Sequence, residues 1–132
     1  MWTPNRIATA SVVAAVSHLL LWNVALAADN AIDTPGEVNQ HFEEASKHFG
    51  DGVVQLHSRQ EGADGTQHTV HQFDCVNGTY GALYAGDMAP GNFPLETSGA
   101  MGAGAGLFYE DPTMASLAQH TCTKYGHPLA EW

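Results

Sequence analysis

Positive charge is scarce in this 132-residue chain: four lysines and arginines stand against 14 aspartates and glutamates, a formal charge of −10 with histidine neutral. That balance argues against a nucleic-acid partner, because phosphate backbones are bound by a surplus of cations. Cysteine is scarce as well. Cys75 and Cys122 are the whole complement and form no C-x-x-C, so no redox pair is indicated. The catalytic templates are missing in turn. Residues 102–107 (GAGAGL) lack the third glycine of a dinucleotide fingerprint and the Lys-Ser/Thr of a phosphate loop. Neither G-x-S-x-G nor H-E-x-x-H occurs, and Glu110-Asp111 reads as helix capping before acid/base chemistry. The chain is therefore read as a non-enzyme with no cofactor.

What is present begins with a leader. Arg6, an apolar run over residues 7–27 and the small-residue triplet Ala25-Leu26-Ala27 have the layout of a cleavable export signal. The run approaches the roughly 20 residues that span a bilayer, but His18, Asn23 and the A-x-A exit favour cleavage over anchoring. The expectation is a signal peptide over 1–27 and one domain over 28–132, periplasmic, secreted or at the cell surface, with no stable membrane insertion after cleavage. Without Arg6, three basic residues (Lys47, Arg59 and Lys124) face 14 acidic ones, a formal −11. Such a surface favours solubility first and a cationic partner second.

Periodicity gives the elements. Thr34-Pro35-Gly36-Glu37 resembles a capped helix start, Val38, Phe42, Ala45 and Phe49 recur at helical spacing, and Gly50 is a suitable stop, which predicts a helix over 34–50. Period-two alternation predicts strands over 53–59, 67–76 and 79–85, the last two joined by Asn77-Gly78 as a two-residue hairpin. That turn pairs Val76 with Thr79 and sets Cys75 opposite Tyr80, Phe73 opposite Ala82 and His71 opposite Tyr84 on one buried face. Asp111-Pro112 opens a second helix ending at Gly126, with Met114, Leu117, Ala118, Cys122 and Tyr125 inward. The fold expected is α+β: a three- or four-stranded antiparallel meander packed with an N-terminal and a C-terminal helix. Both cysteines face inward in an exported domain, so Cys75 and Cys122 are expected to form one disulfide.

Two regions are candidates for contact with something else. Residues 86–106 hold six glycines and two prolines, with Met88, Phe93, Leu95 and Met101 scattered among them, and so long a loop is usually functional. These four are the candidate partner-binding residues, against the plainer reading of a glycine-rich extra strand. Seven histidines follow the leader. On a helix, Glu37, His41, Glu44 and His48 form one stripe, which is more simply a solvated face than a metal site. His57 and His68 share an outer sheet face as neighbours, a candidate metal or pH-sensitive pair with no third ligand in view.

The stretch QFDCVNGTYGALYAGDMAPG, followed 47 positions after its cysteine by the cysteine of SLAQHTCTKYG, resembles the surface-adhesin protein E-like family of exported bacterial proteins over residues 68–126. There, a strand ending in Phe-Asp-Cys runs through a turn into a Tyr-containing strand and a Gly-rich segment, and a cysteine on a C-terminal helix closes a disulfide. Only Cys75 and Cys122 carry over by position; the basic residues usual after the first cysteine are replaced by uncharged Gly78-Thr79-Tyr80-Gly81. The resemblance implies a small antiparallel sheet with helices and a binding role, so the function expected is a surface-interaction protein with a protein or surface-ligand partner. The alternatives are an acidic inhibitor or immunity protein against a cationic exported enzyme, and a periplasmic metal-handling protein.

Overall fold

The computed structural model describes residues 30–96 and 106–129; the expected leader, Met101 and residues 97–105 of the 86–106 loop lie outside them. From residue 31 onward the chain lays down strands in order: β1 (Ala31–Ile32), β2 (Gln40–Gly50), β3 (Val53–Gly62), β4 (Gly65–Asp74), β5 (Thr79–Gly86) and β6 (Gly106–Leu107). All neighbours are antiparallel, and the order in space is the order in sequence, giving a six-stranded meander that curls into a half-barrel. A 3-10 turn, Phe108–Glu110, leads into the single described helix, α1 (Pro112–Lys124).

The architecture is thus mostly β, which corrects the expected three- or four-stranded sheet with two helices. Residues 40–50, read as a helix, form β2. Two bulges explain the misleading period: the β2–β3 register skips Glu44 and again Phe49. Each extra residue breaks the alternation of a strand, so Phe42, Ala45 and Phe49 fall three and four apart while the backbone stays extended. Thr34-Pro35-Gly36-Glu37 makes an isolated turn, with the Glu37 amide bonded to the Thr34 carbonyl at 3.1 Å and Gly36 at φ 80°.

The β4–β5 connection is corrected too. Asp74 pairs with Thr79 and Phe73 with Tyr80, so the loop is four residues, not two. Asp74 organises it: its carboxylate accepts from the Val76 and Asn77 amides and from the Asn77 side chain at 2.8–3.0 Å. Gly78 takes a positive φ but Asn77 does not, whereas a type I′ turn needs both. The slip is two residues, so Phe73, His71 and Tyr80 keep one face. A bulge at Leu83 then moves Tyr84 opposite Val70, onto the other face.

The core lies between the sheet and α1. Val54, Leu56, Phe73 and Cys75 from the sheet meet Leu117, Ala118 and Cys122 from the helix, with Phe108 and Ile32 closing the ends. Asp111 caps α1, accepting from the Thr113 and Met114 amides, and Pro112 occupies the first turn. At the other end Gly126 has φ 82° and the His127 amide returns to the Cys122 carbonyl at 2.8 Å. The Cys75–Cys122 disulfide fastens the helix to the end of β4.

Candidate functional site

The sheet face turned away from α1 is not open to solvent. Gln55, Gln72 and Val70, which alternation alone assigns to an outer face, are buried. Residues 87–96 lie across them as a strap. The Gln55 amide donates to the Leu95 carbonyl (2.8 Å) and accepts from the Leu95 amide (2.9 Å), and it also donates to Gln72 Oε1 (3.0 Å). At the other end the Tyr84 hydroxyl donates to the Met88 carbonyl at 2.6 Å. Among the candidate partner-binding residues, Leu95 is therefore an anchor and Phe93 is half-buried over the His57 ring. Met88 remains 73% exposed and is the large apolar side chain that the strap displays.

Beneath Phe93, His57 Nε2 and His68 Nδ1 meet at 3.0 Å. Burial lowers the His57 pKa, the neighbouring His68 adds to this, and Glu44 opposes it. Arg59, directly opposite His68 across β3–β4, is held by Glu44 and Glu61 and covers the Phe42 ring. The expected stripe of Glu37, His41, Glu44 and His48 does not form on the strand: Glu44 pairs with Arg59 and His48 stacks on Tyr125, and of the four only Glu37 and His41 stay near each other, at 3.9 Å.

That side carries a polar belt. Glu43 binds both His120 (2.7 Å) and Lys124, and Lys124 also donates to Ser46. Burial pushes the Glu43 carboxyl up, but the hydrogen bonds from Lys124 and His120 outweigh it and the pKa is lowered. Ser46 bonds the Tyr125 hydroxyl at 2.8 Å, Tyr125 stacks on His48, and His48 Nε2 lies 3.1 Å from His127 Nε2. Further along, His41 is 5% exposed with no hydrogen bond to either ring nitrogen, its nearest carboxylate being Glu37 at 3.9 Å. His71, also buried, has an unpaired Nδ1; burial and then His41 push its pKa down to about 4 against the pull of Asp111.

Two clefts border the 31–37 segment. One of about 510 Å³ runs between Asp33, Pro35 and the Pro112, Ala115 and Gln119 side of α1; the other, about 400 Å³, is lined by Asp33, Glu37, Asn39 and His41. Among the described residues no three histidine, cysteine, aspartate or glutamate side chains gather closely enough to hold a metal ion, and no helix is long and apolar enough to cross a membrane. Sequence reasoning missed Gln55 as the strap's anchor and His127 as the partner of His48. Glutamines facing each other within two strand patterns were a signal for the first; nothing local marked the second, since 79 residues separate the pair. No family model, curated protein or solved structure matches the chain.

Proposed function

We propose that this chain is an exported, non-enzymatic binding domain of the surface-adhesin protein E-like kind, which docks a partner on the 87–96 strap. The observation that carries this reading is the strap itself. Residues 88–95 hold no charged side chain, the segment is fastened at one end to buried Gln55 and at the other to the Tyr84 hydroxyl, and Met88 projects from it. A contact segment already held in place loses little entropy on binding. The order Phe73-Asp74-Cys75, turn, Tyr80, with Cys122 on a C-terminal helix, supports the family assignment. The Cys75–Cys122 disulfide supports the reading of export. The test is capture from cell-envelope and host-surface extracts by the oxidised protein and its Met88→Ser variant. Capture should be lost in the variant with the melting temperature unchanged; equal capture by both proteins would refute the strap as the docking surface.

A second reading, an acidic inhibitor of a cationic exported enzyme, is favoured by the charge arrangement. Arg59 and Lys124 are taken up by carboxylates of their own chain, while Asp33 borders both clefts and Glu37 joins it in one. Such a surface steers a basic partner, and association should accelerate as salt is lowered. A salt-independent on-rate, or no inhibition across a panel of basic cell-wall hydrolases, eliminates it.

A further inference from the structure

We infer that His48 and His127 form a two-imidazole site for a divalent transition metal, copper before zinc, which clamps the segment after α1 to β2. Their Nε2 atoms are 3.1 Å apart with the rings tilted at 53°. Two imidazoles on one ion, at metal–nitrogen distances of about 2.0–2.1 Å and angles near 90–109°, require a nitrogen separation of about 2.9–3.4 Å. The pair is already at that bite. In the metal-free protein one ring donates its Nε2–H to the other; binding moves that proton to Nδ1 of the same ring, and both Nε2 lone pairs then face the ion. The proton stays on the ring, and water completes the coordination.

The pair is also held from behind. Tyr125 stacks on His48 at 5.5 Å and is itself bonded to Ser46, so the His48 ring is backed by a second side chain. His127 follows the glycine-terminated end of α1, and its amide is tied to Cys122, which the disulfide anchors to β4. Both rings are half-buried, leaving a side open to solvent. The charged groups on this face, Glu43, His120 and Lys124, are engaged with one another. The other histidine pair, His57–His68, has a similar separation but sits under Phe93 and across from the Arg59 guanidinium, a worse place for a dication. At sites built from imidazole, Cu²⁺ outranks Zn²⁺ in affinity.

The experiment is titration of the untagged protein with Cu²⁺ alone and with Zn²⁺ alone, followed by calorimetry and thermal melting, beside the variants His48→Gln, His127→Gln and His68→Gln. One equivalent of Cu²⁺ should bind, and at roughly 100 times its dissociation constant it should raise the melting temperature on the order of 10 °C. The effect should vanish in His48→Gln and in His127→Gln, persist in His68→Gln, and fade as the pH drops below the imidazole range. Copper electron paramagnetic resonance on the unaltered protein should show two imidazole nitrogens, a readout independent of how the variants fold. Absence of binding, binding that survives both His48 and His127 changes, or a spectrum with fewer than two nitrogens would overturn the assignment.

Discussion

At the scale of single residues, the buried His71 is the group with the largest shift to link the domain's stability to pH. Its ring is packed against Phe73 and Tyr80 with one nitrogen unpaired, and its pKa is pushed down to about 4 from an ordinary 6.5. As pH falls the unfolded chain takes up the proton first, so stability is whole above about 6.5 and is lost progressively toward 4. The shift corresponds to roughly 3 kcal/mol at most. Urea midpoints at pH 7.5 and 4.5 should therefore separate more widely for the natural protein than for His71→Leu. Equal separations would show that His71 does not carry the effect. His41 and His57, also lowered by burial, act in the same direction and remain in both proteins. Glu43, with its pKa lowered by Lys124 and His120, adds stability lost only at still lower pH. Asp74 acts through geometry instead. Asp74→Ala removes the acceptor of three turn hydrogen bonds and should cost about 1–3 kcal/mol at neutral pH, measured by the same urea titration.

At the scale of elements, legibility followed how local the determining contacts are. The C-terminal helix was readable because its start and stop are written in adjacent residues, Asp111-Pro112 and Gly126. β3 and β4 were readable because they pair without a bulge, and β5 because its one bulge, at Leu83, comes late in the strand. β2 was not, because two bulges imposed by pairing with β3 give its apolar residues a helical spacing, and nothing within 40–50 reveals the partner strand. The four-residue β4–β5 loop turned on the Asp74 carboxylate, a side-chain competitor that the Asn-Gly signal hides. Of the site, the His57–His68 proximity followed from strand parity, while the strap depended on Gln55 reaching Leu95, 40 residues away. The strap's attachment is testable in its own terms. Gln55→Leu should leave the sheet folded and make the Leu95 amide exchange with solvent as fast as an open loop, measured by hydrogen exchange. Unchanged protection would mean that Phe93 and the Tyr84–Met88 contact hold the segment without it.

At the scale of the whole molecule, the question is what holds one helix onto a curled sheet in a chain so rich in like charge. The helix lies against β3 and β1 through a small set of apolar side chains, and the Glu43–His120–Lys124 group adds a mostly screened electrostatic contribution at its edge. The covalent tie therefore takes a large share. Cys75 and Cys122 are 47 positions apart, and closing a loop of that length removes unfolded-state entropy worth roughly 4 kcal/mol, against a total of about 5–15 kcal/mol for a typical domain. Reduction should leave the β2–β5 meander, whose pairing does not involve α1, as the last structure to melt. The negative charges repel one another in either redox state, so added salt should stabilise both forms. The Cys75→Ala/Cys122→Ala protein at neutral pH should thus lose about 4 kcal/mol in urea, with helical amides losing exchange protection before those of β3 and β4. A loss below about 1 kcal/mol, or uniform loss of protection across helix and sheet, would mean that packing alone seats the helix and that the unfolded-state account of this disulfide is wrong.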